Sequence, residues 1–525
     1  MEKKTEIYID SSWLDVSALV VSNIKISSGI RGTGYLDRIA STGTMSLTLN
    51  NFDCRFSPDH ENARSGFTIG VPIKHTVTHG SISSIKFYGY VKNINIQSGT
   101  NGNKTVSITA VDFFDKLSVT PTTSPAIAYK KTLDQAIELF LDSLPHQPLT
   151  RTISTSYSTF PTVFDFIQTK TKPLTELSRL IASEPSYCYL RTDGTGENFV
   201  VENRNDRYLE PLKQIAKPDS LLSLFITETG ENLITEDGDQ LLANENIDMI
   251  FDNNMLSLSS GFGDSLVNSV RCRVYPRKFD TENVTLYEID KPIQVQAGET
   301  KTFRLAFRDP ANKAQKVSAF HIAFPFASED YRFTLFENGD GEDRKADLDL
   351  SYTASPADMT LTIVNNSGYA GFFWCRVKGK AIYTYDTADI LFEDEASISA
   401  YRYSALEIDM RYRDSLSVVS LFPQRALANG KDPKLDVKKI EFKTTTDNEL
   451  LLNAFLFLDI GDLIRVKEYQ TGIDKYFYIH GKDFVIEKSD TVSFSYIVKE
   501  AVEKSASNWI LGDATYSLLG DTTIL

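Results

Sequence analysis

A chain of 525 residues has room for two to four domains, and its net charge of −15 argues against a protein that grips nucleic acid through phosphates. Tyr (24) and Phe (32) are plentiful while Met (6) and Trp (3) are few. That balance favours β-structure, because aromatic and β-branched side chains fit a pleated, half-buried surface.

Residues 1–120 alternate apolar and polar side chains with period two in five runs: 17–30, 43–52, 71–79, 85–97 and 104–114. Gly and Asn in 98–103 supply a hairpin turn. The character then changes. In 131–144, Leu133, Ala136, Ile137, Phe140 and Leu144 share one helical face, with Thr132 and Gln135 at capping-box spacing. A second helix fits 172–183, with Pro173 near its first turn, and 186–204 reads as a hairpin turning at Asp193-Gly194.

Next comes ITETGENLITEDGDQL (226–241), two nearly identical octads; ILGDATYSLLGDTTIL (510–525) does the same at the end of the sequence. Each octad reads as a short strand plus a Gly turn, too small to bury its own apolar side. Two readings stay open: stacked surface hairpins, or β-arms that pack on a neighbouring subunit or adaptor. The arm candidates are Leu233, Ile234, Leu241, Leu242, Ile510, Leu511, Leu518 and Leu519.

Strand character returns over 262–276, and 290–385 is a purely β block suited to a sandwich. A helix candidate over 413–430 is interrupted by Pro423, and four or five strands then run to about residue 500. The implied divisions are 1–120, 121–250 with octad hairpins at 222–243, 251–289 as returning strands, 290–395, 396–505, and a terminal arm at 506–525. A distant internal similarity relates 69–117 to 460–502: each stretch runs Ile-Gly, a strand, an aromatic strand near a Gly, a hairpin and a Val-Ser strand. Gly70 to Gly89 spans 19 residues and Gly461 to Gly481 spans 20, which pairs Gly89 with Gly481.

Chemistry is sparse. Cys54, Cys188, Cys272 and Cys375 lack zinc-ligand spacing and read as reduced core residues. The six histidines form no metal or triad pattern, and no Walker loop or nucleophile elbow is present. Gly29, Gly32 and Gly34 precede a strand pattern, not a helix, so they do not form a phosphate loop. The acidic run 337–349 lacks EF-hand spacing and reads as a solvated hairpin, with an adventitious calcium site as the alternative. No enzyme and no cofactor are expected. The start has no secretory signal, and the most apolar run (450–460) is too short to span a bilayer, which predicts a soluble protein made in a reducing cytoplasm without a membrane anchor.

The N-terminal series Leu49, Asn51, Asp53, Arg55, Phe56, Pro58, Gly70, Val71 and Ile73 resembles the opening of the baseplate-hub and tail-associated family of bacteriophage tails. Cys54 departs from it, standing where a Gly is more usual. The resemblance continues through 86–96, 110–117, the helix-to-hairpin segment ending at Gly194, the segment around Cys272, and the closing unit 456–484. It implies a mainly β fold: two tail-tube-like β-barrel or sandwich domains, a small α+β insertion and a β-sandwich insertion. It further implies a homotrimer whose six similar domains make a pseudo-six-fold ring in the distal tail of the virion. Expected partners are tail tube or adaptor proteins, the tape measure protein, and tip, fibre or receptor-binding proteins, with the ring as part of a DNA conduit and no stable nucleic-acid binding. In the sandwich, Tyr331 and Trp374 are possible sugar-contact aromatics, against a core-packing reading. The other readings are a receptor- or carbohydrate-binding adhesin and a tail-associated cell-wall hydrolase.

Overall fold

The computed structural model describes residues 1–99, 102–120, 125–156, 158–165, 171–194, 196–204, 206–209, 223–224, 242–243 and 249–503. It is mainly β. Six N-terminal strands, β1 (Glu2–Ile9), β2 (Ile24–Gly29), β3 (Ser41–Asn50), β4 (Pro72–His79), β5 (Ile82–Gln97) and β6 (Thr105–Val111), pair antiparallel in the order β2-β3-β6-β5-β4-β1. The period-two pattern explains the faces. Met45, Leu47 and Leu49 of β3 point into the core while Ser46 faces out.

Asp112 ends this sheet and starts the next unit. Its carboxylate accepts the Phe114 N–H at 3.0 Å, as an N-cap, and the Gly43 N–H at 2.8 Å. Helices α1 (Phe113–Val119), α2 (Leu133–Asp142) and α3 (Pro173–Ser183) pack on the hairpin of β7 (Tyr187–Asp193) and β8 (Gly196–Glu202), around Phe113, Phe140, Leu177, Leu180 and Phe199. Thr132 occupies the N-cap of α2, but its side chain makes no cap bond, so the capping box read from Thr132 and Gln135 is not formed.

The second half of the large sheet comes from strands far apart in sequence. They are β9 (Met249–Asp252), β10 (Ser257–Phe262), β11 (Leu435–Thr444), and, after helix α4 (Glu449–Phe457), β12 (Leu463–Glu468), β13 (Ile473–Ile486) and β14 (Val492–Glu500). Helix α4 lies where only strands were expected. Asn448 caps it by accepting the Leu451 N–H at 3.2 Å, and its apolar run is buried between the repeats.

Between β10 and β11 the chain builds two further units. Strands 269–274, 388–393 and 405–410 form one small sheet, covered by helices 416–419 and 421–430. The expected helix over 413–430 is thus broken at Ser420 rather than at Pro423, which sits in the first turn of the second helix, where a missing N–H costs little. Inserted into that unit is a sandwich. A six-stranded sheet is organised on the long strand 371–384, and the three-stranded sheet of 300–306, 348–354 and 358–365 shares its core. Of residues 251–289, then, only 251–252 and 257–262 lie in the large sheet. Residues 269–274 belong to the small unit, and 277–279 and 284–288 to the sandwich. Pairing partners that far apart leave no trace in local alternation.

Candidate assembly interface

The two halves of the large sheet are copies of one plan. The second half runs β10-β11-β14-β13-β12-β9, matching β2-β3-β6-β5-β4-β1 strand for strand. Hydrogen bonds fix the correspondence. Gly70 N–H donates to the Val91 carbonyl at 2.7 Å and Val91 N–H to the Val71 carbonyl at 2.9 Å; Gly461 donates to Ile479 at 2.8 Å and Ile479 to Asp462 at 3.0 Å. Both glycines adopt positive φ, +86° and +94°, a region few other residues enter. Both long strands also carry a bulge at the same place, between Val91 and Asn93 and between Ile479 and Gly481. The expected pairing of Gly89 with Gly481 is therefore corrected: Gly481 corresponds to Asn93. The copies differ in two respects: β1 runs antiparallel to β4 while β9 runs parallel to β12, and β1 alone carries a further short strand, Ser12–Asp15, on its other side.

The halves meet where β2 pairs antiparallel with the far end of β13, from Ile24–Ile486 to Gly29–Gly481. Gly29 is required there. A Cβ on it would lie 2.5 Å from the His480 carbonyl oxygen and 2.7 Å from the Gly481 Cα. Arg31 closes the rim with Asp483 at 2.6 Å. Deeper in, Lys86 of β5 donates to the Phe455 and Leu456 carbonyls at 2.5 and 2.9 Å, placing a cation on the C-terminal end of α4. Burial, then Lys482, pushes its pKa down to about 7. Lys482 pairs with Asp459 at 2.5 Å; Asp459 also accepts the Thr192 N–H at 2.9 Å, and Arg191 reaches Asp462 at 2.7 Å. Burial alone would raise the Asp459 carboxyl, but Lys482 and Arg191 hold it at about 2. One buried network thus ties both repeats to the α+β unit.

By the same correspondence the counterpart of β2 is β10, and the counterpart of the covered end of β13 is the end of β5. Among the described residues, the outer edge of β10 and, beyond Val91, the side of β5 that faces away from β6 have no strand partner. The contrast in burial is clear. Ile24, Ile26, Phe484 and Ile486 are buried, whereas Ile96 and Phe262 are 45% and 73% exposed. These two edges are the candidate site.

Nothing in the sequence singled the edges out, because their strands alternate like all the others. The repeat itself was the signal. Arm candidates Leu233, Ile234, Leu241, Ile510, Leu511, Leu518 and Leu519 lie outside the described residues; Leu242 falls in a two-residue strand, 242–243, paired with 223–224. Tyr331 pairs with Cys375 and Trp374 with Arg332, so the two aromatics stand on opposite faces of their sheet and do not converge. Both are half-buried against the sandwich core, where Phe373 is fully buried. Among the described residues, no group of three or more His, Cys, Asp or Glu could hold a metal ion, and no helix is long and apolar enough to cross a membrane.

No protein-family model matches the chain, and no curated protein matches it in sequence. Solved structures do. The chain is similar over 95% of its length to the tail protein from Neisseria meningitidis MC58 (97% of that chain, 10% identity, TM-score 0.45). It is similar over 94% to the 43 kDa tail protein of prophage MuSo2 from Shewanella oneidensis (98% of that chain, 12% identity, TM-score 0.43). The prophage tail protein gp18 from Listeria monocytogenes EGD-e matches over 94% of both chains at 8% identity and TM-score 0.38. Likeness this loose transfers no partner, oligomeric state or activity. Over nearly its whole length the chain is similar to phage tail proteins.

Proposed function

We propose that the protein is a structural ring component of a phage tail, closed by repeating between chains the junction it makes within itself. One observation supports this above the others. The internal junction joins β2 to the end of β13, and among the described residues the counterparts of those two strands are left as open edges. An edge strand exposes unpaired N–H and C=O groups, and a complementary edge on a second copy satisfies them. The contact is head-to-tail, so it closes into a ring when the rotation allows.

Three chains with two repeats each give six near-equivalent positions. Such a ring can dock on a six-fold tube or adaptor and keep three-fold symmetry for a tip, fibre or receptor-binding protein. In this reading the protein is the hub of the distal tail, adjoins the tape measure protein and works by geometry rather than catalysis. Its net charge of −15 favours a passage to which DNA phosphates do not adhere.

The test is sedimentation velocity on the full chain and on Ile96→Asp and Phe262→Asp. Both side chains are exposed on the single chain, so its melting temperature should stay unchanged. Assembly should weaken at least tenfold in each variant. Unchanged mass in both would refute the edge-to-edge ring.

A further inference from the structure

Where the C-terminal repeat, the α+β unit and the small helical unit meet, they enclose a cavity of about 330 Å³. This lies at the small end of the roughly 300–1,000 Å³ range of ligand pockets. Its lining carries six cationic side chains, Arg38, Arg204, Arg207, Arg425, Lys434 and Lys499, against two carboxylates, Asp264 and Glu500. In a chain of net charge −15 that excess is local and runs against the overall balance.

Arg207 is the centre of it. Its side chain is only 6% exposed, and its Nε donates to Glu202 at 2.5 Å. Its Nη1 and Nη2 have no hydrogen-bond partner among the described residues. Buried donors without an acceptor destabilise a fold, so this fork calls for one. The guanidinium lies over the Tyr187 ring at 3.9 Å, and that of Arg38 lies over the same ring at 4.7 Å. Arg38 is already engaged, donating to the Tyr35 and Pro185 carbonyls at 2.9 and 3.0 Å. Lys499 donates to the Thr33 carbonyl. Burial would raise the Tyr187 phenol, but Arg38, Arg207 and Lys499 outweigh it and bring it below its ordinary value, which reports the positive field on the site.

We propose that this cavity binds a small phosphorylated molecule, its phosphate held bidentate by the Arg207 fork. A guanidinium presents two parallel N–H groups that match two oxygens of a phosphate. The neighbouring cations favour a dianion over a single carboxylate. The cavity has room for more than the phosphate, since a water occupies about 30 Å³, and Phe422 and Tyr478 wall the remaining space for an organic part.

The experiment is calorimetric titration of the full chain with inorganic pyrophosphate, glucose 6-phosphate and hexaglutamate, at matched ionic strength in sodium chloride. Saturable binding of both phosphate probes is expected, weakened at least tenfold in Arg207→Lys, which keeps the charge and removes the fork. An Lys313→Ala control, at an exposed residue paired with Asp290, should bind like the parent. Heats no different from sodium chloride would overturn the proposal, as would phosphate binding indifferent to Arg207→Lys. Hexaglutamate binding without phosphate binding would assign the cavity to an acidic peptide instead. If Arg207→Lys does not fold, Lys434→Ala on the cavity wall takes its place: weaker phosphate binding is expected, and binding equal to the parent's would overturn the proposal.

Discussion

Cys54 shows how much a single position can say. It adopts φ +62°, the left-handed region, in a segment where the family resemblance leads one to expect Gly. A side chain there costs about 1–2 kcal/mol, partly offset by the flexibility that Gly returns to the unfolded chain. Cys54→Gly should therefore stabilise the protein by roughly 0.5–1 kcal/mol in urea unfolding. Asp459 makes a second case. Breaking a buried pair by removing one partner costs about 3–5 kcal/mol, so Asp459→Asn should lower the urea midpoint clearly at pH 7. Its folded pKa of about 2 lies below the ordinary 3.8. The unfolded chain thus binds more protons between those values, and the carboxylate's contribution is complete above about pH 4 and lost as pH falls towards 2. The gap between parent and Asp459→Asn should narrow across that window; a constant gap would show that the ion pair is not the cause.

At the scale of elements, what could be read depended on whether the signal was local. Helices α2 and α3 and the β7–β8 hairpin fall within the spans that periodicity, Pro173 and Asp193-Gly194 marked. Helix α4 was hidden because its buried face extends around most of the helix, leaving no amphipathic stripe between two strand-rich stretches. The repeat was visible as an ordered series, but its register was not: the hairpin from Gly70 to Val91 is three residues longer than that from Gly461 to Ile479, and it carries a bulge at Lys86 that the second hairpin lacks. Least legible were the open edges, since exposure of Ile96 or Phe262 depends on which distant strand lies beside it. The crossing of β2 and β13 supports a sharp prediction. Gly29→Ala forces a Cβ against the His480 carbonyl at φ +100° and should cost about 2–4 kcal/mol in equilibrium unfolding. A cost under about 0.5 kcal/mol would mean that the close approach at this crossing is not required.

The described residues form a repeated six-strand plan with three other units hung between and beside its copies. Each copy is incomplete in a specific way. Among the described residues, the first leaves the end of β5 open, the second leaves β10 open, and that contact is filled at the internal junction. In the proposed ring, assembly follows from this topology. The measurement that bears most directly on this is the mass of the intact chain in solution, taken together with the symmetry of averaged particle images. A closed trimer requires a mass three times that of the chain, and a ring with three-fold symmetry that approximates six-fold at the level of the repeats. A stable monomer or dimer at the concentrations where the protein is soluble would contradict it.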